Sequence, residues 1–431
     1  MQTLADKAEK LLNEWRGDQF IFGIDVIKQI PEAVKVFGKS YFLVYGKTVE
    51  DNGQKYKLDN LLNAAGFVKL GETVGATPNS PDTDVTRVAD ELNALPQQPD
   101  FIISFGGGSL IDAVKASLVL YSLGGECEDY YGVDKVSAKL TEQEMTLIPQ
   151  VAIMTSSASA AHLTKYSNVT NFETIQKKLI IDQAVVPALS VFDYALTDSM
   201  GYEFTITGAL DGLSHLTEVY MGFDMNTADF SLIERATLVG LELILTNLKK
   251  VLDEPGNLTA RQNIGLATDL GGLAIMYGST NGPHLNSFSL VDLMDHGQAV
   301  GLLNPYYAYF FAQAIPEKLQ RLCEVLKRHE FIDQEVNLEN VNTIGTIYAD
   351  AIRKFVKSFG YPTTLGEIKG FKREHFDRVL EAAKNPQLKV KLQAMPIPMN
   401  VDDIDEFMSS IIDAATGGDL SKIKLKPTEE V

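Results

Sequence analysis

The run "DFIISFGGGSLIDAVKASLVLYSLGG", Asp100 to Gly125, constrains the fold more than any other stretch of the chain. Phe101 to Phe105 form an apolar segment too short for a helix. Gly106 to Gly108 turn the chain, and from Ser109 an amphipathic helical repeat runs to Gly124-Gly125. A strand this apolar must be covered on both faces, which is the habit of parallel sheets. "SYFLVYGKT" (Ser40 to Thr48), "LIPQVAIMTSS" and "PALSVFDY" supply three more such runs. Strands alternating with helical stretches predict a parallel α/β sheet over the first two hundred residues.

After Tyr194 the texture changes. "DFSLIERATLVGLELILTNLKKVLDE", "TARQNIGLATDLGGLAIMYG", "VNTIGTIYADAIRKFVKSFG" and "VDDIDEFMSSIIDAATGG" place apolar residues at three- and four-residue steps, and strand signals become few. A chain of 431 residues exceeds what one core usually organises. The expected division is an α/β domain over residues 1–200 and an all-helical domain over 201–431. No Gly/Ser- or Pro-rich linker marks the boundary, so a close interface is expected. The tail "KIKLKPTEEV" is polar and expected to fray.

The formal charge of −19 repels phosphate backbones and anionic lipid, which argues against nucleic acid and membrane surfaces as partners. Cys127 and Cys323 lie far apart and make neither a disulfide framework nor a thiolate metal motif. They read as free thiols in a reducing compartment. The charged N-terminus lacks the apolar core of a secretory signal, and no apolar run is long enough for a membrane span. A cytoplasmic protein is expected.

Three features carry chemistry. The GGGS turn lets backbone approach a ligand, and the helix behind it offers free N–H groups suited to a diphosphate. Its plain structural alternative is a tight turn that requires positive φ. "IMTSSASAAHLTKYSNVT" crowds hydroxyl groups after a strand, where Thr155, Ser156 and Ser159 are able to donate to phosphate or ribose or else bond their own loop. Third, Asp211 and His215 in "GALDGLSHLTEVYMG" share one helix face, half of a cation site or else a satisfied buried pair. "STNGPHLNSFSLVDLMDHGQAVGLLNPYYAYFF" adds His284, in a polar Gly/Pro-containing loop, and His296, before Gly297 at the start of an apolar helix. Three imidazoles and a carboxylate suit Fe(II), Zn(II), Mn(II), Co(II) or Ni(II). His329 and His375 sit among charges and read as solvated.

In this order the motifs resemble the iron-containing (group III) alcohol dehydrogenase family over nearly the whole chain, together with "TPNS", "DYALTDSM", "YPTTLGEIKGF" and "MPIPM". The resemblance implies an N-terminal dinucleotide-binding domain, an all-helical metal-binding domain, and a dehydroquinate synthase-like fold with the active site in the cleft between them. It implies Asp211, His215, His284 and His296 as metal ligands, with His284 and His296 also catalytic. Gly107, Gly108, Ser109 and Asp112 match the pyrophosphate turn, and Asn79 a cofactor-contacting asparagine. Thr155, Ser156 and Thr164 fall on the family's Thr-rich loop. Lys177, with adjacent Lys178 as alternative, matches a cofactor-contacting lysine.

Three departures stand out. The loop reads "ASAAH", so His162 replaces a carboxylate; as a lone histidine in such a loop it reads as structural more often than catalytic. The usual His-x-x-x-His-Pro segment is lengthened and keeps only His284, leaving Asp292 and Asp295 as possible oxygen ligands. Gly46, followed by Lys47 and Thr48, stands where a carboxylate would bind the ribose 2′-hydroxyl, which favours NADP(H) over NAD(H).

The implied reaction is hydride transfer between nicotinamide and a small alcohol or aldehyde, assisted by a divalent metal, iron first, with a proton path through His296 or His162. A homodimer is expected. The rivals are a glycerol-type polyol dehydrogenase, a dehydroquinate synthase-like lyase and a metal-free binding protein. The lyase would need an Arg/Lys cluster for a charged substrate, and none stands beside the candidate ligands in the sequence. The binding protein would need no ligands, yet all four are present.

Overall fold

The computed structural model describes residues 2–336 and 341–427. The chain divides into two compact units. One holds Leu12–Gly201 with Glu254–Gly265; the other holds the chain up to Leu11, Tyr202–Asp253 and everything from Leu266. The main break thus falls beside the one expected near residue 200, but two short segments belong elsewhere. For the second the reason is visible: Arg261 donates to the carbonyls of Pro255 and Met200 at 3.0 and 3.3 Å, which ties that segment to the first unit.

The first unit contains nine strands: β1 (Phe20–Gly23), β2 (Ser40–Tyr45), β3 (Val68–Val74), β4 (Phe101–Gly106), β5 (Gly132–Val133), β6 (Gln150–Met154), β7 (Tyr166–Asn171), β8 (Gln176–Ile181) and β9 (Leu189–Asp193). Six form a wholly parallel sheet in the order β1-β9-β6-β4-β2-β3. The other three form a small sheet, β5-β8-β7, closed by the antiparallel β7/β8 hairpin. Leu43, Tyr45, Ile103, Phe105, Ile153 and Val191 face one core cluster.

The helix Gly108–Leu123 was expected to be amphipathic, but Leu110 to Leu120 are all buried. Sheet lies on two sides of it: β4 along one, β7 of the small sheet along the other. A helix so enclosed has no polar face to show.

From β2 the chain crosses outward to β3, whereas from β4 it crosses to β6 on the opposite side. The carboxyl ends of β2 and β4 therefore open into the crevice that parallel sheets offer at such a reversal. Gly46 N donates to Phe105 O at 2.9 Å and locks the two ends together.

In the second unit every element is helical, and no strand follows β9 among the described residues. At its centre the helix Tyr202–Gly222 is buried continuously from Thr205 to Met221, as a helix surrounded by others must be. Around it lie Phe230–Asp253, the part of Leu258–Tyr277 from Leu266, and His296–Phe311, with Val341–Lys357 packed against the last of these. No helix among the described residues is long and apolar enough to cross a membrane. The tail expected to fray is held as far as Lys426: Lys424 N donates to Ser410 Oγ and Lys426 Nζ to Asp403. Its last four residues lie outside the described part.

Asp112 serves the fold rather than the turn before it. Its buried carboxylate accepts from Asn168 N and Nδ2 at 3.1 and 2.8 Å and lies 3.4 Å from Lys115 Nζ. Lys115, also buried, donates to the carbonyls of Thr164 and Tyr166. Removing one member of such a group strands the others. Asp112→Ala should therefore cost about 3–5 kcal/mol, read as a lower urea midpoint, while Asp112→Asn, which keeps an acceptor for Asn168, should lose less. An unchanged midpoint in Asp112→Ala would contradict this account.

Candidate functional site

The residues singled out in the sequence collect in two places, one in each unit. In the first unit they gather at the carboxyl ends of β2, β4 and β6. None of Gly106, Gly107 and Gly108 has positive φ, so the tight-turn alternative does not explain them. Gly107 is extended (φ −80°, ψ 178°), and a Cβ there would meet only Ser156 Oγ at 3.4 Å. Thr155 N donates to Gly106 O at 3.2 Å, which brings the hydroxyl-rich loop beside this turn.

Asn79 N donates to Ser109 Oγ at 3.0 Å, and Lys177 Nζ donates to Asn79 Oδ1 at 3.2 Å. Lys178 instead pairs with Glu128, so of the two lysines Lys177 joins the cluster. Thr164 is buried with its carbonyl accepting from Lys115 Nζ, and Asp112 is engaged inward by Asn168. His162 is fully buried, with its ring 5.3 Å from both Phe20 and Phe192. It is a core histidine, which takes it out of the expected proton path.

At the outer end of the crevice, Gly46 has φ −80° and ψ 144°, and a Cβ would find no atom nearer than 3.7 Å. The fold does not require glycine here. Lys47 and Thr48 are exposed. Behind them buried Lys55 bonds both Glu50 and Glu72 at 3.1 and 2.7 Å, so these carboxylates face a cation.

In the second unit Asp211, His215, His284 and His296 converge. Nε2 of His215 and of His284 each lie 3.5 Å from Asp211 Oδ1, and Nε2 of His296 lies 3.7 Å from it. The His215 and His284 rings stack at 4.7 Å, and His296 meets His284 edge-on at 5.1 Å. Asp292 and Asp295 do not join them. Asp292 pairs with Arg378, and Asp295 precedes the first turn of the His296–Phe311 helix.

Packing explains the convergence. Asp211 and His215 are one turn apart on the central helix. Gly297 presses against it so closely that a Cβ would lie 1.9 Å from Thr207 O. The glycine after His296 is thus demanded by contact between two backbones, and it sets the imidazole beside Asp211. His284, expected in a polar loop, lies on a short buried helix, Gly282–Ser287. Asn281 caps that helix by accepting from Gly282 N at 2.7 Å, and Pro283 sits in its first turn, where no N–H is needed.

A second layer of hydrogen bonds orients the rings. His284 Nδ1 donates to Glu218 Oε1 at 2.7 Å, and Asn281 N donates to Glu218 Oε2 at 2.9 Å. Ser287 Oγ donates to His284 O at 2.8 Å and lies 3.0 Å from His296 Nδ1. Its single proton goes to the carbonyl, which only accepts, so Ser287 accepts from His296 Nδ1–H. Each ring, when neutral, is thereby held as the tautomer that leaves Nε2 unprotonated.

Glu218 was missed in the sequence, though Asp211, His215 and Glu218 at i, i+4 and i+7 share one helix face. His375, expected to be solvated, is buried; its Nδ1 accepts from Lys372 N, capping the Arg373–Ala383 helix. His329 is half-buried near Glu242.

The electrostatics prepare a cation site. Burial opposes ionisation of Asp211, but the surrounding imidazoles outweigh it and hold the carboxyl below the usual carboxylate range. Burial drives the His215 imidazole down to about 4 against the pull of Asp211. For His284 burial is overcome by the Glu218 carboxylate, and its pKa is raised. Among the described residues, no hydrogen-bond partner reaches buried Asp211 Oδ1 or His284 Nε2. Ligands ~2.1 Å from a tetrahedral centre lie about 3.4 Å apart, close to the three nitrogen separations from Asp211 Oδ1, and Asp211, His215 and His284 bring their ligand atoms within 4.8 Å of one another. An anionic oxygen and three imidazole nitrogens therefore fit a divalent transition metal.

Comparison with known proteins agrees with both halves. The model of the iron-containing alcohol dehydrogenase family matches residues 18–194, and that of the family's C-terminal part matches 205–412. The chain is 28% identical over 371 residues to 1,3-propanediol dehydrogenase of Klebsiella pneumoniae, covering 82% of this chain and 89% of the relative. It is 24% identical over 402 residues to NAD-dependent methanol dehydrogenase of Bacillus methanolicus, covering 91% and 97%. A crystal structure of a 1,3-propanediol oxidoreductase, 25% identical, superposes with a TM-score of 0.78 over 92% of this chain and 97% of that one.

Glu218→Gln keeps the shape of the His284 partner but removes its charge. Loss of an orienting carboxylate should weaken divalent-metal binding roughly 10–100-fold, measured by chelator competition. Wild-type affinity in the variant would show that Glu218 does not orient His284.

Proposed function

The chain belongs to the iron-containing alcohol dehydrogenase family, and from that premise we propose that Asp211, His215, His284 and His296 hold one divalent metal, iron foremost, and that the crevice at β2 and β4 prefers NADP(H). The enzyme is an oxidoreductase that moves hydride between a nicotinamide and a small alcohol or aldehyde. The observation that carries the metal assignment is the meeting of three Nε2 atoms around one buried carboxylate oxygen.

When bound, the metal supplies Lewis acidity toward the substrate oxygen, and the nicotinamide supplies the hydride donor or acceptor. The chain's own residues prepare for this. Asp211 contributes the negative charge, and His215 stays neutral because it is buried. Glu218 and Ser287 fix the tautomers of His284 and His296. Side chains of the other three are at most 7% exposed, whereas His296 is 23% exposed, so substrate reaches the centre on the His296 side. In the first unit Gly107 leaves backbone bare for a diphosphate, and Asn79, Ser109 and Lys177 stand beside it. The implied substrate class, small alcohols and aldehydes, matches the names of the propanediol and methanol relatives.

The NADP(H) preference rests on Gly46. A carboxylate there would accept from the ribose 2′-hydroxyl and repel a 2′-phosphate. Here that repulsion is absent, Lys47 adds positive charge, and Lys55 partly offsets the charges of Glu50 and Glu72 behind it. The Bacillus methanolicus relative is named for NAD, so the preference is a property argued for this chain alone.

Two measurements test these readings. His296→Ala should lose metal and turnover while keeping its fold by circular dichroism; full turnover of that variant after chelation would end the metal assignment. Gly46→Asp fits the space and backbone at that position. It should shift the ratio of kcat/KM values toward NAD(H) by tenfold or more. A clear preference of the unaltered enzyme for NAD(H) would rule out the cofactor reading.

A further inference from the structure

We propose that Arg378 is a positioning residue for His296, acting through Asp292 and the lengthened segment that joins the two histidine-bearing helices. The proposal rests on the reading of His296 as a metal ligand. Of the four side chains His296 is the most exposed, and it is carried by the helix entered directly from this segment.

Phe288 to Asp295 run as successive turns, with Ser289 N donating to Asn286 O, Leu290 N to Ser287 O, and Leu293 N and Met294 N to Leu290 O. Such local bonds shape the segment but do not fix where it points. Arg378, on the neighbouring Arg373–Ala383 helix, does fix it. Its Nε donates to Ser289 O at 2.9 Å, Nη1 donates to Asp292 Oδ2 at 3.1 Å, and Nη2 bonds Asp292 Oδ1. One planar guanidinium thus grips the segment at two points, using the fork geometry that only arginine provides. His375 Nε2 stands 3.9 Å from the same carboxylate, and Nδ1 of this ring is engaged by Lys372 N.

At its near end the segment touches the ligand itself. The Phe288 ring stacks on His296 at 6.1 Å, next to the gripped Ser289. Arg378 and Asp292 are 24% and 34% exposed in their side chains, so a contribution of this contact to overall stability has to be separated from its effect on the site. Its effect is local. It pins Ser289 and Asp292 within a connection that would otherwise sample more directions before presenting His296.

The test uses Co2+ as probe on the metal-free full-length protein, reading dissociation constant and visible ligand-field absorption. Arg378→Ala and Asp292→Ala should each weaken Co2+ binding tenfold or more and alter the absorption, by more than any fall in the urea midpoints of the metal-free forms accounts for. The double variant should lose no more than the worse single one, because both break one contact. Arg378→Lys should fall between, as an ammonium cannot hold the carboxylate and carbonyl in one plane. A folded Arg378→Ala with wild-type affinity and spectrum overturns the proposal. So do additive losses in the double variant that track the metal-free midpoint. His296→Ala, measured alongside, separates the two failures: wild-type Co2+ binding there refutes the ligand reading itself.

Discussion

One buried carboxylate organises the helical unit. Asp211 lies inside the protein with three imidazoles around a single oxygen, and a charge so placed is costly unless something answers it. The imidazoles answer it only in part. On the proposed reading, a divalent cation would answer it and at the same time give each Nε2 a partner. The helices around Asp211 are packed as though for that purpose. The central helix carries Asp211 and His215, the short Gly282–Ser287 helix carries His284, and Gly297 lets the last helix approach until His296 arrives.

Around this centre the protein spends its hydrogen bonds on direction. Glu218 holds one ring, Ser287 another, and Ser287 joins the two because it also bonds the His284 carbonyl. Arg378 extends the pattern outward to the segment that leads into His296. The first unit follows a different logic. Where a ligand's phosphates would lie, the chain withdraws side chains instead of supplying them: Gly46 and Gly107 have ordinary backbone conformations and room for a Cβ, so the fold has no use for their glycines. Asp112, by contrast, looks like part of the glycine turn in sequence but is consumed by packing.

Local sequence determined much of this. β2, β4, β6 and β9 were legible because they are the four inner strands of the large sheet, buried on both faces and hence continuously apolar. Edge strands β1 and β3 are partly exposed, so their apolar pattern is diluted and they were not marked. The helical half, the i, i+4 pairing of Asp211 with His215, and the His-Gly start at His296 were also local patterns. They needed no knowledge of what lies far along the chain.

Only tertiary structure decided the rest, because the deciding partners are distant in sequence. Asp292 was open to service as a metal ligand until Arg378 was found holding it. His162 was available for proton transfer until Phe20 and Phe192 enclosed it, and His375 changed from solvated to capping once its helix was placed. Glu218 could be suspected from its helix face, but its role depends on His284, which the folding of a separate short helix brings to it. Residue type and spacing state what chemistry a side chain is capable of; burial and the neighbour it meets decide whether that capacity is used for function or absorbed by the fold.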